Sequence, residues 1–185
     1  MKKRMLFLTG NPGVGKTTVL LRILEALGAK GFNIGGMISR EVRSGASRIG
    51  FEILDLASDR RGWLAHANQG HGPQIGRYRV NLGNLNSVGA TAVVDAVQGK
   101  DVVAIDEIGP MELCSEQFRK AVDKAADSNK LVVGTLHWKM RDKLIDELRT
   151  REDIEIFTVT LENRENLQET IILKAEEFLA YDTCE

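Results

Sequence analysis

The chain has 185 residues, a formal net charge of −1 and 43% hydrophobic residues, so it is long enough to bury one full core. The balanced charge excludes the global basic surface of a dedicated nucleic-acid-binding protein. No stretch approaches the roughly 20 apolar residues of a membrane span. The two cysteines, Cys114 and Cys184, are too few and too far apart in sequence to indicate a disulfide framework. These features predict a single domain, residues 1–185, that is cytoplasmic and is not bound to a membrane.

The first predicted element is an apolar strand at Met5-Leu6-Phe7-Leu8, followed by a glycine-rich segment and an amphipathic helix that ends near Gly31. The segment between strand and helix fits G-x-x-x-x-G-K-[ST], the phosphate-binding P-loop, in the chain context that this motif requires. Its residues are Gly10, Asn11, Pro12, Gly13, Val14, Gly15, Lys16 and Thr17.

Each part of this loop has a physical task. The glycines let backbone amides curl around a phosphate, and the positive end of the following helix attracts the anion. Lys16 reaches the β- and γ-phosphates, the Thr17 hydroxyl ligates Mg²⁺, and Thr18 is placed to donate to the α-phosphate. The sequence therefore predicts that the chain binds a nucleoside triphosphate with Mg²⁺.

Residues 32–99 have a different character, because short apolar stretches are separated by turn-forming residues. This pattern indicates a hairpin or meander, and hence an antiparallel edge of the sheet. The predicted elements are strands at 36–39, 48–54 and 62–65, a turn at 44–47, a loop at 66–76, a short strand at 77–80 and a helix over 85–97.

From residue 100 onwards, apolar strands alternate with amphipathic helices. The strands are predicted at 101–105, 131–135 and 154–159, and Ser115 is suited to cap the helix after the first of them. Such alternation predicts a mostly parallel sheet with helices on both faces. The predicted fold class is therefore α/β, a three-layer sandwich of the P-loop type with an antiparallel edge.

An acidic pair, Asp106-Glu107, follows the buried strand Val102–Ile105. A carboxylate at that end of a strand is where a P-loop protein holds Mg²⁺, a role that fits Asp106. Glu107 is then placed to orient the attacking water or accept its proton. We expect Glu107 and Lys16 to be the catalytic residues and Thr17 and Asp106 to be the metal ligands. The Asp106-Glu107 pair favours hydrolysis of the nucleotide over simple binding.

The two motifs together resemble the small thermophile-type nucleoside triphosphatases, the THEP family that includes the cancer-related NTPase. The resemblance lies in Gly10–Thr18 and in Asp106-Glu-Ile-Gly-Pro-Met-Glu-Leu113, and it extends to Glu41–Arg43, Arg48–Phe51, Val133–Thr135 and Glu162–Arg164. It implies a monomeric, Mg²⁺-dependent hydrolase of ATP, GTP, CTP and UTP with little base selectivity. It also implies a second nucleotide-binding segment made of Val102, Val103, Ala104, Ile105, Asp106, Glu107, Ile108 and Gly109.

Low base selectivity has an independent argument. The guanine-reading Asn-Lys-x-Asp element is absent, because Asn129-Lys130 is followed by Leu131 and Val132. A protein that holds only the phosphates and Mg²⁺ has little means of distinguishing the bases.

Several residues have two interpretations. Thr135 ends a strand expected beside Asp106, where its hydroxyl either senses the γ-phosphate or attacking water or simply ends the strand. Trp138 either stacks on a base or packs in the core, and His66 and His71 lack the spacing of a metal site.

A cation on the transferring phosphoryl group accelerates hydrolysis by roughly 10³–10⁵. The arginines considered for that role are Arg119, Arg141, Arg149, Arg151 and Arg164.

Two other functions remain open from the sequence. A P-loop kinase would pass the γ-phosphate to a small acceptor, using an arginine-rich lid from Arg40, Arg43, Arg48, Arg60 and Arg61. Glu107 directly after Asp106 favours water as the acceptor. A nucleic-acid-stimulated ATPase is the second alternative, although the near-neutral charge gives it no support.

Overall fold

Nine strands form one mixed sheet in the computed structural model, which describes residues 2–182 of the chain. Cys184 lies outside the described residues. The strand order across the sheet is β5-β6-β4-β3-β2-β7-β8-β1-β9. The strands are β1 (Met5–Thr9), β2 (Ile34–Ser44), β3 (Ser47–Asp55), β4 (Arg61–His66), β5 (Gln74–Ile75), β6 (Tyr78–Val80), β7 (Val102–Ile108), β8 (Leu131–Leu136) and β9 (Ile154–Thr158).

The half of the sheet from β2 to β9 is parallel throughout. All residues of β1 and β8 are buried, as expected for strands covered on both faces. Because β8 lies between β1 and β7, the carboxyl ends of all three strands meet at one edge. That edge carries the P-loop and the acidic pair.

The other half of the sheet is antiparallel, which confirms the predicted edge. Its β2–β3 hairpin is longer than the sequence indicates, since β2 runs to Ser44 rather than ending at Ser39. The additional residues are mostly polar and extend beyond the core, so no apolar alternation marks them as strand. The loop predicted at 66–76 contains the two-residue strand β5, and Arg77 precedes β6.

Helices cover both faces of the sheet. On one face α1 (Lys16–Ala29) and α6 (Arg164–Asp182) share a core with β1 and β8, and the remaining helices pack on the other face. Those are α2 (Leu82–Asn84), a π-helical stretch (Leu85–Ala90), α3 (Thr91–Gly99), α4 (Glu116–Asp127) and α5 (Lys143–Thr150), with a 3₁₀ turn at Glu112–Cys114. The predicted α/β three-layer fold is confirmed. Ser115 caps α4 as expected, and its side chain accepts from Phe118 N–H.

The helical segment predicted at 85–97 begins at Leu82 instead. The Asn81 side chain accepts a hydrogen bond from Asn84 N–H and so caps the first turn. Among the helices within residues 2–182, none combines the length and apolarity that a membrane crossing needs.

Candidate active site

A cavity of about 500 Å³ opens at the carboxyl edge of the parallel strands, and we call it the phosphate cavity. The P-loop and the acidic pair line one side, and the β2–β3 hairpin lines the other. Its lining residues are Pro12, Gly13, Gly15, Lys16, Thr17, Thr18, Ser39, Arg40, Glu41, Arg48, Phe51, Asp106, Glu107 and His137. The structure thus brings Lys16 and Glu107, 91 positions apart in the sequence, into one cleft.

The P-loop adopts a conformation that requires glycine. Gly10, Gly13 and Gly15 all have positive φ, and a Cβ at Gly10 would lie 2.6 Å from the Val159 carbonyl oxygen. The Lys16 ammonium donates to the Gly10 carbonyl across the loop, at 3.1 Å. Lys16 is also the first residue of α1, so its charge adds to the positive end of that helix.

Asp106 is held by hydroxyl groups from two other elements. Its Oδ2 accepts from Thr17 Oγ1 at 3.0 Å, and its Oδ1 accepts from Thr135 Oγ1 at 2.7 Å. Burial raises the pKa of Asp106 to about 6, because only 2% of the residue is exposed, and the two threonine hydrogen bonds oppose that rise. The carboxylate is therefore fixed in direction and linked to the P-loop.

The acidic pair lies inside β7 rather than after it, which corrects the predicted end of this strand at residue 105. The pairing of β7 with β8 is interrupted between Ile105 and Ile108, so two residues of β7 oppose one of β8. Such an interruption re-aims side chains. It directs both Asp106 and Glu107 to the phosphate cavity, although neighbours on a regular strand point to opposite faces.

Glu107 lies in a partly desolvated part of the cavity. Burial raises its pKa, and the positive charge of Lys16 opposes that rise. A second acid, Glu112, is buried behind it. A Cβ at Gly109 would lie 3.2 Å from Glu112 Oε2 and 3.4 Å from Glu107 Cγ, so this glycine separates the two side chains. Burial, together with the charge of Glu107, raises the pKa of Glu112 to about 8.

The implied binding segment from Val102 to Gly109 divides into two parts. Within it, Asp106 and Glu107 line the cavity, whereas Val102–Ile105 and Ile108 are fully buried in the sheet. These apolar residues hold the acids in place and have no surface for a nucleotide. In the P-loop, Gly10, Asn11 and Val14 line a neighbouring recess instead.

The sequence left two roles open for Thr135, and its contacts in the structure give it a third. Its side chain is fully buried, and its hydroxyl donates to Asp106 Oδ1, so it orients the carboxylate. The sequence expectation that β8 lies beside the Asp106 strand is correct.

None of the five arginines considered for the catalytic cation lines the phosphate cavity. Arg119 makes a bidentate pair with Asp142, and Arg151 binds Asp153 and Asp127. Of the other three, Arg149 contacts Asp146 and the His137 carbonyl, Arg164 lies beside Gly15 of the P-loop in an adjoining recess, and Arg141 is exposed.

Two arginines of the hairpin line the cavity instead, Arg40 and Arg48. Arg40 Nε donates to Glu52 at 2.6 Å. Arg48 donates to the Tyr78 hydroxyl at 2.9 Å, contacts Glu41 at 2.8 Å and lies 5.0 Å from the Phe51 ring centroid. Sequence reasoning assigned both only to a kinase lid, because nothing local shows that the hairpin faces the P-loop.

Comparison with known proteins gives consistent matches over nearly the whole chain. The model of the NTPase family matches residues 5–172. The Nucleoside-triphosphatase THEP1 of Thermofilum pendens is 45% identical over 170 residues, which is 90% of this chain and 92% of that protein. The crystal structure of THEP1 from the hyperthermophile Aquifex aeolicus aligns with a TM-score of 0.79 at 31% identity, over 90% of this chain and 96% of the other. The solution structure of a human cancer-related nucleoside triphosphatase aligns with a TM-score of 0.80 at 33% identity, over 94% and 98%.

Proposed function

The chain belongs to the NTPase family, and on that premise we propose that it hydrolyses ATP, GTP, CTP and UTP to the diphosphate and orthophosphate with Mg²⁺. The observation that carries this proposal is the shared cavity. Lys16 and Thr17 of the P-loop face Asp106 and Glu107 of β7 across it, with Asp106 bonded to Thr17. A phosphate-binding loop and a water-activating carboxylate in one cleft are what hydrolysis requires.

The donor set suits Mg²⁺. Thr17 and Asp106 offer a hydroxyl and a carboxylate whose oxygens lie 3.0 Å apart, and hard oxygen donors are the ligands that Mg²⁺ prefers. These two residues would hold the ion, and Thr135 would keep the Asp106 carboxylate turned towards it. Bound Mg²⁺ would supply positive charge to the oxygens of the phosphate tail.

Glu107 is the proposed general base. Burial raises its pKa, which makes the carboxylate a better proton acceptor than an exposed glutamate. It would orient a water towards the γ-phosphate while Lys16 and the loop amides hold the phosphate oxygens. Positioning and charge, rather than covalent chemistry, account for catalysis of phosphoryl transfer.

We further assign the catalytic cation to Arg48, with Arg40 beside it. The Arg40 side chain is 52% exposed and the Arg48 side chain is 42% exposed, and each is paired with a glutamate. Exposed ion pairs contribute only about 0–1 kcal/mol, so exchanging Glu41 for a phosphate oxygen costs little. The Tyr78 hydroxyl and the Phe51 ring hold the Arg48 guanidinium at the cavity wall. Because the side chain is already ordered, it loses less conformational entropy when it binds a phosphate oxygen.

Water is the proposed acceptor, and phosphate release tests this. Orthophosphate should appear with Mg²⁺ and each of the four nucleotides, without any added acceptor and at rates within about tenfold of one another. Adding nucleosides or nucleoside monophosphates should not increase consumption of the triphosphate. Turnover that begins only when one of these acceptors is present would assign the hairpin arginines to acceptor binding, and the protein to the kinases.

The cation assignment is tested with a matched pair. Arg48→Gln should lower kcat by at least 100-fold with little change in KM, because a phosphoryl-transfer arginine acts mainly in the transition state. Arg43→Gln is the control, since Arg43 binds the same Glu41 but does not line the cavity, and its kcat should stay within about threefold. Equal effects at the two positions would contradict the assignment.

A monomeric, cytoplasmic enzyme completes the proposal, and the scarcity of cysteines supports this placement. Nucleic acid is not a proposed partner, because the net charge of the chain is −1. Size-exclusion chromatography with light scattering tests the monomer. Turnover measured with and without RNA at low salt tests the partner.

A further inference from the structure

A second recess lies on the other side of the P-loop from the phosphate cavity. It has a volume of about 280 Å³, and we call it the indole recess. The P-loop residues Gly10, Asn11 and Val14 form one wall. The rest comes from the segments after β8 and β9: Trp138, Thr158, Val159, Thr160, Leu161 and Glu162.

The two cavities share a ridge. Pro12 and Gly13 face the phosphate cavity, whereas Asn11 and Val14 on either side of them face the indole recess. Consecutive residues after β8 divide in the same way, because His137 lines the first cavity and the neighbouring tryptophan lines the second. A ligand whose phosphates lie in the phosphate cavity therefore reaches the recess by crossing the P-loop.

Trp138 is not a core residue. It is half-buried and belongs to neither of the two hydrophobic clusters that hold the sheet and helices together, whereas Met140 two positions later packs against one of them. Its indole contributes to an open recess beside Leu161, which is 65% exposed. A half-buried aromatic side chain that lines a recess next to a phosphate-binding loop is suited to a planar, uncharged group.

The loop opposite Trp138 is held in a fixed shape. Asn163 Oδ1 accepts from Thr160 N–H at 2.8 Å, and Asn163 Nδ2 donates to the Thr158 carbonyl at 2.8 Å. The wall is thus held together by its own hydrogen bonds. The Thr160 hydroxyl belongs to this wall, because it accepts from Asn163 N–H at 3.3 Å and is hydrogen-bonded to the Glu162 carboxylate.

We propose that the indole recess is the nucleoside subsite, in which the base of the nucleotide stacks on Trp138. The inference rests on the proposed function, since it assumes a triphosphate in the phosphate cavity. Every base has a π-face, so stacking tolerates all four bases. The recess therefore gives the nucleoside affinity without base selectivity.

Tryptophan fluorescence tests the subsite directly. The chain has two tryptophans, and Trp63 lies on β4, away from the recess. In a Trp63→Phe background, Trp138 is the one remaining indole. Saturating ATP or GTP with Mg²⁺ should quench its emission. Inorganic tripolyphosphate, which has phosphates but no base, should bind and compete with ATP but leave the emission unchanged.

Affinity measurements provide the second readout. Trp138→Ala should weaken ATP binding by about tenfold or more in calorimetry and leave the affinity for tripolyphosphate within twofold, whereas Trp138→Phe should retain most of the ATP affinity because a phenyl ring still stacks. Thermal unfolding confirms that each variant is folded. An equal loss for both ligands would make Trp138 structural, and no quenching with unchanged ATP affinity would place the base elsewhere; either result overturns the subsite.

Failure of the proposed function gives a different pattern. A protein that binds ATP with quenching yet releases no orthophosphate would retain the subsite and lose the hydrolase. A protein that hydrolyses ATP without any response of Trp138 would retain the hydrolase and lose the subsite.

Discussion

Replacing Thr135 with valine removes one buried hydroxyl and keeps the shape of the side chain. That hydroxyl lies 2.7 Å from Asp106 Oδ1 and has no solvent exposure. A hydrogen bond to a charged group contributes about 1.5–3 kcal/mol, and one to a neutral group about 0.5–1.5 kcal/mol. We therefore expect Thr135→Val to lower the free energy of unfolding by about 2 kcal/mol when Asp106 is charged and by about 1 kcal/mol when it is protonated.

The pKa of Asp106 sets the pH at which this difference emerges. Burial raises that pKa from 3.8 to about 6, so the native state holds the proton more tightly than the unfolded chain does. The stabilising contribution of Asp106 is then fully present below pH 3.8 and is lost as the pH rises through about 6. Thr135 lowers the pKa of Asp106, so the loss should be larger in the valine variant. Urea denaturation in EDTA at pH 5 and pH 8 measures both values.

Thr9→Val is the matched control. The Thr9 hydroxyl is also buried and donates to the neutral Leu136 carbonyl at 3.2 Å. Its loss should lower the free energy of unfolding by about 1 kcal/mol at both pH values. If Thr135→Val also lowers the free energy of unfolding by the same amount at pH 5 and pH 8, then Thr135 does not stabilise the charged form of Asp106 and the reasoning is refuted.

Two other predictions concern Lys16 and Glu112. Lys16→Ala should abolish measurable binding of the Mg²⁺–ATP complex in calorimetry, because it removes the one lysine that lines the phosphate cavity among residues 2–182. An affinity within tenfold of the wild type speaks against this role. Burial raises the pKa of Glu112 to about 8, so its stabilising contribution is present below pH 4.5 and is lost as the pH rises through 8. Glu112→Gln should therefore reduce the fall in the free energy of unfolding between pH 4.5 and about 8, by at most about 1.4 kcal/mol per pH unit. Glu116→Gln, at an exposed position, should leave that fall unchanged. An unchanged slope in Glu112→Gln is the contrary result.

The parallel half of the fold follows from the sequence because its signals are local. β1 and β8 are mostly apolar runs without polar alternation, which is typical of strands covered on both faces. The P-loop has a fixed spacing that depends on backbone conformation, and its glycines have the positive φ that the motif implies. The proximity of Thr135 to Asp106 also follows, since consecutive parallel strands bring their carboxyl ends together.

The opposite wall of the cavity was not predictable from the sequence. Arg40 and Arg48 lie on a hairpin whose polar residues show no apolar alternation. The sequence therefore does not show how far β2 extends or that the end of the hairpin lines the same cavity as the P-loop. Arg119 and Arg151 are nearer the acidic motif in sequence, but Asp142 and Asp153 bind them elsewhere. Long-range placement, rather than residue type, decides which arginines line the cavity.

The central claim is that Glu107 activates water in the same cleft in which Lys16 holds the phosphates. Glu107→Gln tests it most directly, because the amide keeps the shape of the side chain and cannot accept the proton. Single-turnover release of orthophosphate should fall by about 10²–10⁴, while calorimetry should give an affinity for Mg²⁺–ATP within about threefold of the wild type. Release at a rate close to that of the wild type would contradict the claim.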